Sequence, residues 1–234
     1  LPRPGEVDDR LVAILRPASW ETERYRMLRR SLERRYEPER RRVLAVTSAM
    51  PGEGKTTTAM NLAAVMAESR DAAVLVIDAD LRCSSVARLL GFRMTGPDLG
   101  DAIMQERLSL HDVTRCAPGL ARFGVVPAKP RPASAHELIE SPRLAHLISE
   151  ARRCYQYVIV DAPPLVPVAD CRALTRCVDG VILVVAAHDT SREQLGEALS
   201  LLEPQKVLGL VLNGDDEPAW SGARRYYAPY APIP

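Results

Sequence analysis

Hydrophobic residues in this chain gather in short runs, set between longer stretches with helical spacing. The runs are VLAVTSA (Val43–Ala49), AAVLVIDAD (Ala72–Asp80), RFGVVPA (Arg122–Ala128), YVIVDAPP (Tyr157–Pro164), GVILVVAA (Gly180–Ala187) and VLGLVLNG (Val207–Gly214). Rich in Val and Ile and apolar on both alternating faces, they predict strands covered by helices on either side. Helices are predicted over 19–36, from Lys55 to about Glu68, at Ser84–Leu90 and Leu99–Gln105, over 132–154 with an interruption at Pro142, near Asp170–Arg176, and over 191–203. Ser19 and Ser191 are candidate N-caps. The helix after Ser19 carries acids in its first turn and bases later, which suits the helix dipole. The stretch EPERRR (37–42) breaks that helix, and residues 1 to about 18 read as an arm. Strands alternating with helices predict an α/β domain around a mainly parallel sheet. The organisation expected is an arm and helix over 1–42, a domain over 43–218 and a flexible tail over 219–234.

Composition changes this picture little. The chain has 234 residues, 47% hydrophobic and 26% charged, as a globular protein should. A net charge of +1 gives no reason to expect a nucleic-acid partner. The Arg40–Arg42 cluster reads as solvated surface, with a membrane or partner contact as the alternative. No apolar run approaches the roughly 18 residues of a membrane span. The chain opens on Leu1, without a signal-peptide pattern, as a piece of a longer chain would; a membrane segment upstream stays open. Five cysteines without a CxxC pair read as reduced, partly buried thiols of a cytosolic protein, and the four histidines show no metal spacing.

The chemistry concentrates in TSAMPGEGKTTTA (Thr47–Ala59), between a predicted strand and a predicted helix. That is the context of a phosphate loop. Gly52 and Gly54 let the backbone approach an anion, and the helix N-terminus faces it. Lys55 can reach β- and γ-phosphates, and the Thr56 hydroxyl can ligate Mg²⁺. Ala49 replaces the first glycine of the usual pattern. The predicted class is therefore a P-loop NTPase-like three-layer α/β/α domain. Asp78, Asp80 and Asp161 stand at the exits of two strands, the end where ligands bind in parallel sheets. Carboxylates there suit a hard, hydrated cation.

With these motifs in view, the chain resembles the bacterial tyrosine kinases of capsule and exopolysaccharide synthesis. The resemblance runs through PASWETERYRMLRRSL, PGEGKTT, VLVIDADLR, HELIESPRLAHLI, YVIVDAPP, DGVILVV, VLGLVLN and the terminal tyrosines. It implies a nucleotide site over Pro51, Gly52, Glu53, Gly54, Lys55, Thr56 and Thr57, with Arg82 nearby and Asn213 at the base. It implies catalytic roles for Lys55, Asp78 and Asp80, the last facing an incoming tyrosine hydroxyl, and metal ligation by Thr56, Asp78 and Asp161. The cofactors implied are ATP and Mg²⁺. Glu23, Arg26 and Arg29 form an E-x2-R-x2-R pattern on one helix face. Alone this reads as a solvated face; the resemblance implies contacts between subunits of a ring.

Three of the seven tyrosines, Tyr226, Tyr227 and Tyr230, crowd the proline-bearing last nine residues. A strip that resists folding leaves phenols exposed, and the resemblance implies that they accept phosphate from a neighbouring subunit. It further implies a membrane activator or upstream membrane domain, a tyrosine phosphatase and polysaccharide synthesis or export machinery as partners. The expected place is the cytoplasm, peripheral at the inner face of the membrane. Three features depart from the family pattern: the short tyrosine cluster, AKPRPASAHELI without the usual Asn, and Ala186, Ala187 and His188 where a basic residue usually follows the strand. Two alternatives stay open: an assembly ATPase similar to MinD and ParA, and a scaffold that binds ATP without catalysis. Met50, where those ATPases carry an extra lysine, argues against the first.

Overall fold

The computed structural model describes residues 6–35, 41–69, 72–117, 119–120, 122–168 and 171–215. Among the described residues, seven strands form one sheet: β1 (Arg42–Ser48), β2 (Val74–Asp78), β3 (Arg115–Cys116), β4 (Phe123–Val126), β5 (Tyr157–Asp161), β6 (Gly180–Ala186) and β7 (Val207–Asn213). Their order is β3-β4-β2-β5-β1-β6-β7, and every pair is parallel except β3 with β4. All seven residues of β1 are buried, the expected consequence of an apolar run covered on both faces. Arg42 is among them, so the solvated surface expected for Arg40–Arg42 fails at its last member: pairing with Tyr157 of β5 draws Arg42 into the sheet. Arg40 lies outside the described residues.

One helical layer holds α1 (Val12–Leu15), α2 (Trp20–Glu33), α3 (Lys55–Met66) and α4 (Val86–Leu89). They pack with Leu44, Val46, Val76, Phe123, Ile159 and Val184 of the sheet. The other layer holds α5 (Leu99–Met104), α6 (Leu110–Val113), α7 (Ala135–Glu140), α8 (Pro142–Cys154), α9 (Cys171–Arg176) and α10 (Arg192–Ser200). These cover Val43, Ala45, Ile77, Val160 and Leu183. The three-layer α/β/α class read from the sequence is what folds.

Helix α3 is buried at every position but Thr57, because α1 and α2 pack over the face turned from the sheet. The expected arm thus contains an element of its own. Leu11 and Ala13 are buried, and Asn61 of α3 accepts the Ala13 N–H at 2.9 Å while donating to the Arg10 carbonyl at 2.9 Å. Caps mark the helix starts as anticipated: the Ser19 side chain accepts from Thr22, and that of Ser191 from Gln194. Pro142 is a start and not only an interruption, occupying the first turn of α8 behind the Ser141 cap.

Candidate active site

Strand β1 ends at Ser48, and the chain turns through Ala49–Gly54 before α3 begins. Gly52 and Gly54 have φ of +87° and +88°, the left-handed region where a side chain would strain the backbone. Gly54 is the N-cap residue and offers no side chain to the first turn, so the amides of α3 remain available to an anion. A Cβ on Gly54 would also come within 2.0 Å of the Asn213 amide nitrogen. The loop borders a cavity of about 380 Å³ lined by Pro51, Gly52, Gly54, Lys55, Thr56, Thr57, Asp80, Arg82, Cys83, Ser85 and Arg88, with Arg10 from the arm.

Three carboxylates gather beside the loop because their strands are neighbours; of the three, Asp80 lines the cavity while Asp78 and Asp161 are fully buried behind it. Asp78, the last residue of β2, pairs in register with Asp161, the last of β5, and β5 lies beside β1. The Lys55 ammonium is 2.7 Å from Asp80 Oδ2 and 4.0 Å from Asp161 Oδ1. Burial disfavours its charge, but Asp161 and Asp80 outweigh burial and hold the ammonium protonated beyond its ordinary range. Asp80 Oδ1 also accepts the Cys83 N–H at 3.0 Å. Burial, and then the charge of Asp161, push the Asp78 carboxyl well above the usual carboxylate range. Burial likewise raises Asp161, against the opposing pull of Lys55.

Among the described residues, one oxygen of Asp78 and both of Asp161 are buried without a hydrogen-bond partner. Such orphaned acceptors are expensive unless a cation meets them. These oxygens and the Thr56 hydroxyl, 3.5 Å from the Lys55 ammonium, are all hard donors, the chemistry that suits a divalent ion such as Mg²⁺.

The other expected site residues divide. Arg82 lines the cavity, its guanidinium 3.4 Å from the Pro132 carbonyl. The Glu53 carboxylate does not line it; it accepts the Met50 N–H at 3.0 Å and the Thr190 hydroxyl. Asn213, expected at a nucleotide base, donates to the Glu53 carbonyl at 3.0 Å and lies outside the lining. Arg26 pairs within the chain with Glu23 and with Glu68 just beyond α3, and Arg29 donates to the Val65 carbonyl. Tyr226, Tyr227 and Tyr230 lie outside the described residues.

Sequence reasoning missed Ser85, whose hydroxyl is 3.1 Å from Thr56 Oγ1, and Thr190, 137 positions from Glu53. Neither carries a local signal, since only the fold brings each to the loop.

Residues 41–206 match the family described as AAA domain. The chain is 33% identical over 215 residues to the tyrosine-protein kinase YwqD of Bacillus subtilis, covering 91% of this chain and 89% of that protein. It is also 33% identical to the succinoglycan biosynthesis transport protein ExoP of Rhizobium meliloti, over 75% of this chain but 22% of that longer protein. Among solved structures, the kinase domain of the Escherichia coli tyrosine kinase ETK superposes with a TM-score of 0.81 at 29% identity, covering 94% of this chain and 86% of that one.

Proposed function

The chain belongs to the family of bacterial tyrosine kinases, and from that premise we propose an ATP-dependent autokinase that phosphorylates its own C-terminal tyrosines, in trans within a ring-like oligomer. The observation that carries the reading is Lys55, rising from a glycine-bounded loop between Asp80 and Asp161 at the strand ends.

The phosphates of ATP lie along the amides of the loop and the start of α3, and Lys55 exchanges Asp80 for phosphate oxygens. That exchange frees the Asp80 carboxylate on the side open to the cavity. A tyrosine phenol, with an ordinary pKa near 10, needs a positioned acceptor for its proton. The phenol oxygen bonds to the γ-phosphorus, the bond from that phosphorus to the β–γ bridging oxygen breaks, ADP departs, and the phenolic proton passes to Asp80. Thr56, Asp78 and Asp161 would hold Mg²⁺, which would supply charge neutralisation on the phosphates.

Glu23, Arg26 and Arg29 are the proposed subunit contacts, the Tyr226, Tyr227 and Tyr230 hydroxyls the acceptors. Phosphate on a tail tyrosine adds negative charge that opposes its return to a site holding three carboxylates. A tyrosine phosphatase resets the tail. ExoP is named for transport in succinoglycan biosynthesis, which supports a partnership with polysaccharide synthesis and export machinery. The activator is a membrane protein or an upstream membrane domain, and the place of work is the inner face of the membrane. No helix among the described residues is long and apolar enough to cross a membrane.

The test mixes two variants with Mg-ATP. One is Lys55→Met with its tail intact; the other keeps Lys55 but has Tyr226, Tyr227 and Tyr230 changed to Phe. Phosphate on the tail of the Lys55→Met copy is expected. Its absence, when unmutated protein labels itself, would overturn transfer between subunits.

A further inference from the structure

A carboxylate inside a phosphate loop is an electrostatic liability, and Glu53 sits between the two left-handed glycines of this one. The fold disposes of the charge by turning it inward, leaving Glu53 only 5% exposed. Its Oε2 accepts the Met50 N–H of the same loop at 3.0 Å, and its Oε1 accepts the Thr190 hydroxyl from the turn after β6. Thr190 Oγ1 in turn accepts the Ala186 N–H at 2.9 Å, at the end of β6. The Glu53 carbonyl accepts from Asn213 at 3.0 Å, and the Asn213 carbonyl accepts the Ala187 N–H at 2.7 Å. The six-residue loop is thereby pinned to the ends of two further strands, both beyond β1 from the acidic residues.

We propose that Glu53 is a positioning residue, which fastens the phosphate loop to Thr190 and Asn213 and so holds its amides in the nucleotide-receiving shape before nucleotide arrives. The inference rests on the nucleotide-binding reading of the loop. Without the tether the loop must be ordered by the ligand, and the ordering is subtracted from affinity. Glu53 itself does not line the cavity, so it acts through the loop and not on the nucleotide.

The experiment compares Glu53→Ala, Glu53→Gln and Thr190→Val in the full chain. Backbone amide exchange over residues 49–56 is read without nucleotide, and Mg-ADP affinity by calorimetry. Glu53→Ala should speed exchange at Met50 and its neighbours and weaken Mg-ADP roughly tenfold, the equivalent of about one buried hydrogen-bonded pair. The KM for ATP should rise in step. Thr190→Val should move both readouts the same way by a smaller factor. Glu53→Gln should recover most of the loss, since an amide can accept from Met50 and donate to Thr190. Loop exchange and Mg-ADP affinity unchanged in Glu53→Ala and Thr190→Val would overturn the inference. So would a fall in melting temperature with affinity preserved, which marks a merely structural role. Amide exchange in nucleotide-free protein needs neither ATP nor kinase activity, so this inference can fail while the functional reading stands, and the reverse.

Discussion

Replacing Lys55 with Met removes the cation from a cluster in which Asp78 and Asp161 are fully buried and Asp80 is 2% exposed. Two arguments fix the size of the effect on the metal-free protein. Breaking a buried ion pair by deleting one partner costs about 3–5 kcal/mol. An orphaned carboxylate can instead take up a proton, which at neutral pH costs about 4 kcal/mol from an ordinary pKa near 3.9. The two agree, so a loss of about 3–4 kcal/mol is expected, or roughly 6–16 °C in melting temperature for a chain of this size. At about pH 5 the protonation route costs only about 1.5 kcal/mol, so the deficit should shrink by half or more. Thermal unfolding followed by circular dichroism in EDTA, at about pH 5 and about pH 7.5, reads both values. A Lys55→Met protein that melts with the unmutated one at both pH values, or above it, would show that Lys55 does not neutralise these acids.

Three further outcomes follow from the same structure. The raised carboxyls of Asp78 and Asp161 mean that the folded, metal-free protein holds protons that the unfolded chain has released. Its stability should therefore fall as pH rises above the ordinary carboxylate pKa of about 4, and added Mg²⁺ should reverse the trend, read as melting temperature with and without the ion. Asn61→Ala should strand the buried Ala13 N–H and loosen the arm from α3; one lost buried acceptor predicts about 1–3 kcal/mol by denaturant unfolding. Changing both Arg26 and Arg29 to Ala should reduce oligomer mass in sedimentation while altering stability by only about 1 kcal/mol, because their ion pairs with Glu68 are partly exposed.

Much of this was legible because it is local. Each apolar run became a strand, since burial on both faces needs no information beyond the run itself. The phosphate loop was legible because glycine spacing dictates its backbone, and the acids because strand ends in a parallel sheet face one edge. What escaped depends on distant partners. The two-residue strand β3 exists only because β4 offers an antiparallel edge, and two residues carry no periodicity. Helix α1 forms inside a segment that reads as an arm, since its apolar residues find α3. The motifs point Glu53 and Asn213 to nucleotide, and they carry no sign of the hydrogen bonds that also tie the loop to strand ends across 137 and 160 positions. For Arg26 and Arg29, sequence spacing gives no sign that within one chain they also reach the end of α3.

The central claim is that this loop and these acids move the γ-phosphate of ATP to tyrosine. Intact mass and peptide mapping after incubation with ATP and Mg²⁺, beside Lys55→Met, tests it most directly. Phosphate is expected on one or more of Tyr226, Tyr227 and Tyr230 in the unmutated protein and none in the variant. ATP hydrolysed with every tail tyrosine unmodified, even with a membrane activator present, would contradict it and make the chain an assembly ATPase.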